Sequence, residues 1–270
     1  RGRFSVYYGE DISRPSRRTE GEAHMESIFE REIIVTPDYC DASGALSPLA
    51  AFTIFQGIAA QHAEALGVGG RAMAQKGRFW LTVHTRVDLF ARAEMMDSLT
   101  VRTWAEACSE RDVRTYRSYT LSRGETLIAR GKTEWAVLGP DRRVLRFSDY
   151  GFPADYPFPA ESAIPETLQR FHEKFTEDDL FSRCTVRPTD IDLGRHMNNV
   201  AYVRLLLDCF TAQELAGGKI RSVELHFSTP CFEGEELTVY RKLHDDGTCR
   251  IAIVKADGKT ASQACVSLEN

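Results

Sequence analysis

Residues 190–202, DIDLGRHMNNVAY, place two aspartates, a histidine and two asparagines directly ahead of an apolar run. A carboxylate such as Asp192 can orient or deprotonate a water molecule, and an imidazole four residues later, that of His196, can hold a nucleophile or shuttle a proton. Backbone amides at a helix N-terminus can hold a developing oxyanion. The spacing therefore predicts a site for general acid–base chemistry at the start of a helix, with Asp192 and His196 as its catalytic residues.

A structural interpretation of the same segment stays open. Asn198 and Asn199 suit a helix cap as well as a substrate contact. His196 taken alone would indicate a structural histidine more often than a catalytic one, since a single residue is weak support for an active site. No cysteine stands beside His196 in the sequence, which disfavours a cysteine nucleophile. The segment is either a catalytic turn or only a capped turn that starts a helix.

The elements that must position this segment occur twice along the chain. Each half offers a short strand, then a helical run, then four strand-like runs, and a proline-rich connector lies between the halves. In the first helical run, Ser47 is expected to be the N-cap, Pro48 to occupy the first turn and Gly67 to end the helix. In the second half, one helix is predicted over residues 198–215. Such an order is typical of a duplicated α+β unit.

The duplication can be checked residue by residue. Val35 aligns with Val186, an offset of 151 positions (186 − 35), and the same offset pairs Pro37 with Pro188 and Asp41 with Asp192 without a gap. Ala45 then falls opposite His196. The sequence thus predicts one fold repeated twice, with the polar group of residues in the second copy only and Asp41 a turn residue in the first.

Several motifs resemble one enzyme family. DIDLGRHMNNVAY is similar to the D-x-x-x-H-x-N-N-x-x-Y signature of the fatty acyl-acyl carrier protein (ACP) thioesterases of plants and bacteria. The first half resembles the same family in its helix, a His-Ala pair, Gly-x-Gly and a Trp that opens a strand, and VRTWAE and GKTEWAVL are also similar. The resemblance runs from about Glu30 to the C-terminus.

The resemblance implies an α+β protein of two tandem hotdog domains, each a long helix wrapped by an antiparallel β-sheet, that form an intramolecular pseudo-dimer. The expected division is an N-terminal extension (1–24, before Met25), an N-terminal hotdog domain that holds the acyl pocket (25–148), a proline-rich linker (149–178) and a catalytic C-terminal hotdog domain (179–270). The family's catalytic Asp and His fall at Asp192 and His196.

Two departures from the family pattern concern the site itself. Plant members carry an Asn where this chain has Gly194, and a Glu-Cys pair where the alignment places Ser228 and Thr229. Three interpretations stay open: Asp192 is the general base itself, Glu233 or Glu235 serves from a neighbouring loop, or activity is reduced.

Substrate contacts are predicted on both sides of the pseudo-dimer. Asn198 and Asn199 are the candidates in the second half. The candidates for an acyl pocket in the first half are Phe52, Phe55, Ile58 and Trp80, although tryptophans belong more often to a core than to a ligand site. His62 and Glu64 are expected to be ordinary residues of a helix face.

Composition and charge limit the classes of partner and compartment. The chain has 270 residues with a formal net charge of −5, which argues against a nucleic-acid binder. No apolar run approaches the roughly 20 residues that span a bilayer. The seven cysteines are scattered singly, which favours a reducing cytoplasm, and neither a metal-ligand spacing nor a phosphate-binding glycine loop predicts a cofactor. Residues 102–146 hold ten Lys or Arg against six Asp or Glu, a local excess that would suit an acidic carrier protein or a solvated strand face.

Three functions remain at this point. The first is hydrolysis of fatty acyl-ACP to free fatty acid and carrier protein. The second is hydrolysis of acyl-coenzyme A, and the third is a non-catalytic module that binds acyl thioesters. The chain-length preference of the pocket and the oligomeric state, including a homodimer, are left open by the sequence.

Overall fold

The computed structural model describes residues 27–269, so the expected N-terminal extension and Met25 lie outside the described residues. Four α-helices are present in this range: α1 (Pro48–Ala65), α2 (Gly70–Gln75), α3 (Asn199–Leu207) and α4 (Ala212–Ala216). The strands of the first half are β1 (Phe29–Ile34), β2 (Phe79–Leu89), β3 (Ser98–Ala105), β4 (Thr115–Arg123) and β5 (Thr126–Leu138). Those of the second half are β6 (Leu180–Thr185), β7 (Ile220–Phe227), β8 (Glu236–Leu243), β9 (Thr248–Lys255) and β10 (Thr260–Leu268).

All ten strands form one antiparallel sheet in the order β1-β3-β4-β5-β2-β7-β10-β9-β8-β6. The five strands of the second half follow the same order as those of the first half, but from the opposite edge of the sheet. The counterparts β2 and β7 therefore pair at the centre, where His84 lies opposite His226. The sheet wraps α1, which packs on β1 to β4 and against α3. The expected α+β pair of hotdog folds in an intramolecular pseudo-dimer is confirmed.

Helix α1 has the ends that its sequence predicts. The Ser47 hydroxyl accepts the Ala50 amide at 3.1 Å, Pro48 is the first helical residue, and Gly67 adopts a left-handed φ of 72° just past the end. One face of the helix buries Phe52, Phe55 and other apolar side chains against the sheet. The buried face of α1 is therefore directed toward the centre of the molecule.

The second helix is shorter than predicted. Residues 198–215 contain α3 and α4 with a break between them, because the amides of Cys209 and Phe210 turn back to Leu206 and Leu207. Thr211 then starts α4 with a capping box, in which its hydroxyl accepts the Glu214 amide and the Glu214 carboxylate accepts the Thr211 amide. Local capping chemistry thus ends a run whose apolar spacing alone suggests one helix.

The later part of the proline-rich connector contacts strands of both halves. The Ile164 carbonyl accepts Lys132 Nζ of β5 at 3.1 Å, and the Gln169 amide donates to Glu224 Oε1 of β7 at 2.6 Å. The ring of Phe171 packs edge-on against His84. The connector therefore contacts the strands on both sides of the β2–β7 junction. The main apolar core lies between the sheet and the helices, and a second, smaller cluster joins Leu66 at the end of α1 and Met73 of α2 to Tyr150 and Tyr156 of the connector.

Candidate active site

The turns that precede α1 and α3 have the same backbone structure at the predicted offset of 151. A 3-10 turn occupies Pro37–Tyr39 in one and Pro188–Asp190 in the other. An isolated bridge joins Cys40 to Leu46 in the first turn and Ile191 to Met197 in the second. The repeat inferred from few identical residues is therefore present in the hydrogen bonding.

The first turn is closed by its own side chains. Asp41 Oδ1 accepts the backbone amide of Ser43 at 2.8 Å, and Asp41 Oδ2 accepts Arg92 Nη2 at 3.0 Å. Burial would raise the pKa of Asp41, but the hydrogen bonds from Ser43 and the charge of Arg92 outweigh it and lower the pKa. Ala45, opposite His196, is fully buried. This copy has a structural aspartate and no titratable group at the position that corresponds to His196.

The second turn keeps its carboxylate and imidazole open to solvent. Asp192 Oδ1 accepts the Gly194 amide at 2.7 Å and lies 3.8 Å from His196 Nδ1, and the two side chains are 27% and 34% exposed. His196 Nδ1 is also 3.3 Å from the Met197 carbonyl oxygen. With Nδ1 directed to that carbonyl, His196 Nε2 is left to meet a substrate or a water molecule.

Gly194 leaves the space in which the His196 ring lies. A Cβ atom built on Gly194 would be 2.7 Å from His196 Nε2 and 3.0 Å from Asp192 Oδ1. Because Gly194 has no side chain where plant members of the family carry an Asn, the imidazole of His196 can pack directly over its backbone. The following residue, Arg195, takes a left-handed φ of 60° where the first turn has Gly44.

Both asparagines lie at the N-terminus of α3, in different environments. Asn198 is the N-cap and its Oδ1 accepts the Val200 amide at 2.8 Å. The side chain of Asn199 crosses to the first half, where its Nδ2 donates to Thr82 Oγ1 at 2.7 Å. Within residues 27–269 the backbone amide of Asn199 donates to no partner. Asn198 therefore caps the helix, and Asn199 offers a free donor where the two halves meet.

A cavity of about 30 Å³ lies beside Asn199, between α1, α3 and the centre of the sheet. Phe52 and Phe55, two of the four acyl-pocket candidates, line this cavity, and Ile58 and Trp80 do not. Ile58 is buried in the core, and Trp80 packs on Tyr150 and donates to the Val68 carbonyl. This volume holds about two water molecules.

Several cavity residues were missed by sequence reasoning. The further lining residues are Gln56, Thr82, Thr85, Arg86, Val87, Tyr119, Thr133, Trp135, Val200, Val203 and Phe227. The position of Gln56 can be predicted from the helical spacing that it shares with Phe52 and Phe55. The position of Thr82 cannot, because a β-bulge between Thr82 and His84 breaks the alternation of β2 and turns Thr82 toward the cavity.

Glu233 and Glu235, the two candidates to replace the carboxylate expected at Ser228, both lie on the turn before β8. The exposed Ser228 has its Oγ 3.1 Å from His226 Nδ1, and burial together with the charge of His84 lowers the pKa of His226. Glu235 accepts the Phe232 amide and pairs with Lys255 at 3.0 Å, as part of the turn before β8. Glu233 is exposed on that turn. Asp192 is thus the carboxylate placed next to His196.

Two negative findings apply to residues 27–269. No group of three or more His, Cys, Asp or Glu side chains there is arranged to hold a metal ion. None of the helices in that range is both long and apolar enough to cross a membrane.

The fold and the site define a tandem hotdog protein with an Asp-His turn in one half. Family models for the N-terminal and C-terminal domains of acyl-ACP thioesterases match residues 26–149 and 173–270. The chain belongs to the acyl-ACP thioesterase family.

Plant members of the family are among its relatives. An oleoyl-acyl carrier protein thioesterase of Coriandrum sativum is 22% identical over 195 residues, which is 66% of this chain and 52% of the relative. An acyl-acyl-carrier-protein hydrolase of Cuphea viscosissima is 27% identical over 182 residues, 61% of this chain and 43% of the relative. The chain thus spans about half the length of these relatives.

Solved structures show the same fold. A 12:0-ACP thioesterase from Umbellularia californica superposes with a TM-score of 0.78 at 16% identity, covering 90% of this chain and 98% of that one. An acyl-ACP thioesterase from Bacteroides thetaiotaomicron gives a TM-score of 0.74 at 20% identity, with the same two coverages.

Proposed function

We propose that this chain hydrolyses fatty acyl-ACP thioesters to free fatty acid and carrier protein. The observation that carries the proposal is the turn before α3, where the side chains of Asp192 and His196 are partly exposed to solvent. The helix that follows this turn begins at Asn199, whose amide donates to no partner within the described residues. Family membership supports the substrate class, since the relatives are named for the same thioester.

The geometry assigns a role to each group. Asp192 Oδ2 is free to accept a proton from a water molecule, because Oδ1 already accepts the Gly194 amide. His196 Nε2, which carries no proton when Nδ1 donates to the Met197 carbonyl, accepts a hydrogen bond from that water. The proton that Asp192 takes up then passes to the departing thiolate, which restores the carboxylate. The free amide of Asn199 at the N-terminus of α3 donates to the oxyanion that forms as water attacks the carbonyl.

The two halves are assigned different tasks. The half before the linker (25–148) supplies most of the acyl pocket, with Phe52 and Phe55 at its wall, and the half after it (179–270) supplies the chemistry. Asn199 links the two through Thr82. One chain then carries one active site, because Ala45 replaces the imidazole in the first half.

One experiment separates this proposal from the two other candidate functions. It compares the rates at which free fatty acid is released from acyl-ACP and from acyl-coenzyme A that carry the same acyl chain, across a panel of chain lengths. We expect acyl-ACP to be the better substrate. A preference for coenzyme A would replace the carrier protein as partner, and tight binding without turnover would indicate a non-catalytic module.

The cytoplasm remains the expected compartment, which the seven free cysteines support.

A further inference from the structure

Two adjacent loops at one end of the central strands form a single exposed surface, here called the basic lip and made of residues 76–79 and 139–144. Phe79 of β2 pairs with Leu138 of β5, and Leu138 forms an isolated bridge with Val144. A Cβ atom at Gly77 would lie 3.3 Å from the ring of Pro140, so the loops are in close contact. A partner that touches one loop must therefore touch the other.

The basic lip is strongly cationic in a chain that is acidic overall. It contains Lys76, Arg78, Arg142 and Arg143 against one carboxylate, Asp141. Arg143 pairs with Asp141 at 3.7 Å, and that pair is largely solvent-exposed. Within residues 27–269, no carboxylate lies within 4.0 Å of the charged groups of the other three cations. Arg78 is half-buried and its Nη1 donates to the Tyr150 carbonyl at 3.3 Å, whereas Lys76 and Arg142 are exposed. The charges of Lys76 and Arg142 are therefore the ones most available to an anionic partner.

Apolar side chains lie among these cations. Phe79 is 52% exposed and Val144 is 39% exposed. Aromatic residues and arginines are enriched in protein interfaces, where a buried aromatic anchor is surrounded by polar groups. Arg142 also takes a left-handed φ of 61°, a conformation that glycine adopts at lower cost. The turn therefore carries an arginine at a position where glycine would be less strained. The surface has the composition of a docking site for an acidic protein.

The basic lip lies close to the candidate active site along the same strands. Phe79 is three residues before Thr82, which accepts the Asn199 side chain, and a strand rises about 3.3 Å per residue, which gives roughly 10 Å between them. Trp135, opposite Thr82, lines the cavity three residues before Leu138. A carrier protein holds its acyl group on a long, flexible phosphopantetheine arm, and an arm of that kind crosses this distance.

We propose that the basic lip is the docking surface for the anionic carrier protein, an inference that rests on the proposed function. Lys76 and Arg142 pair with carboxylates of the carrier or with the phosphate of its arm, and the half-buried Arg78 adds to the positive charge of the surface. Phe79 and Val144 make the apolar contact, and the arm carries the thioester toward Asn199.

The test uses the charge-reversed double variant Lys76→Glu/Arg142→Glu, with Arg183→Glu as matched control. Arg183 is exposed on β6, at the far edge of the sheet and five strands from β2. Steady-state constants are measured on fatty acyl-ACP and on the N-acetylcysteamine thioester of the same acid, at low and physiological salt. The second thioester is uncharged and has no carrier to dock.

We expect the double variant to lose about tenfold or more in kcat/KM on acyl-ACP, mainly through KM, and to lose most of its salt dependence. Its rate on the uncharged thioester, and both rates of Arg183→Glu, should stay near the wild-type values. An unchanged KM for acyl-ACP would overturn the proposal, and so would an equal loss on both thioesters or an equal loss in the control variant.

Binding separates this proposal from the proposed function. Surface plasmon resonance with a non-hydrolysable, amide-linked acyl-ACP reports docking without turnover. If the wild-type protein binds acyl-ACP without hydrolysing it, and binding weakens in the double variant, the docking surface is supported and the hydrolase function is rejected. Hydrolysis by wild type with equal binding by both proteins would do the reverse.

Discussion

Gly194 lies beneath the imidazole of His196, and adding a single methyl group there should separate catalysis from stability. A Cβ atom at this position would be 2.7 Å from His196 Nε2, whereas ordinary contacts begin near 3.4 Å, so the ring edge must retreat by about 0.7 Å. The same Cβ would also approach Asp192 Oδ1 at 3.0 Å. Gly194→Ala therefore moves both proposed catalytic groups without removing either.

The two expected effects differ greatly in size. Misplacing a reacting group by about 1 Å can cost about 100-fold in rate, so a shift of about 0.7 Å should lower kcat roughly 10- to 100-fold. The clash falls on a half-exposed side chain that can rotate, and Gly→Ala stabilises by roughly 0.4–1 kcal/mol through the unfolded chain where the backbone conformation allows it. The free energy of unfolding should thus stay within about 1 kcal/mol of wild type.

The assay pairs turnover of fatty acyl-ACP with urea unfolding of the same samples. Gly57→Ala is the matched control, because Gly57 lies in α1 with no atom within 4 Å of the added Cβ. This control should gain up to about 1 kcal/mol and keep its turnover. If Gly194→Ala keeps kcat within about twofold of wild type, the orientation of His196 over Gly194 is not the catalytic one.

Three further predictions concern the pocket, pH and metals. Phe55→Leu removes the ring that stacks on Tyr119 at 4.9 Å, so it should shift the optimum of an acyl-ACP panel to longer chains at a cost of about 1–2 kcal/mol, and an unchanged optimum would place the acyl chain elsewhere. Burial first, and then the charge of Arg117, lowers the pKa of His62 to about 3. The stability from neutral His62 is therefore complete above pH 6.5 and lost as pH falls toward 3, by at most about 1.4 kcal/mol per pH unit. Urea unfolding should show this fall between pH 7.5 and 5, less steeply in His62→Gln, and equal slopes would contradict it. Turnover should survive EDTA, and a loss that one defined metal restores would show a metal requirement.

Sequence reasoning reached the parts of the structure that local chemistry determines. The paired turns follow from Pro37, Asp41 and their counterparts at the 151 offset, because each turn closes most of its backbone hydrogen bonds within a few residues. The start and end of α1 follow from Ser47, Pro48 and Gly67 in the same way.

The cavity depends on long-range contacts that no local pattern encodes. Asn199 meets Thr82 only because β2 pairs with β7 and because a bulge turns Thr82 inward. Trp80 lies outside the cavity lining for a related reason, since its partners Val68 and Tyr150 lie on a loop and on the connector. Periodicity also joined α3 to α4, because apolar spacing does not register the capping box at Thr211.

The most direct measurement is kcat/KM for fatty acyl-ACP in wild type, His196→Ala and Asp41→Asn, each shown to be folded by circular dichroism. We expect His196→Ala to lose roughly two to four orders of magnitude, the usual contribution of a positioned acid or base. Asp41→Asn should lose mainly stability, because Asp41 is held by Ser43 and Arg92 in the turn without an imidazole. Near-normal turnover in His196→Ala, together with loss in Asp41→Asn, would contradict a single active site in the C-terminal half.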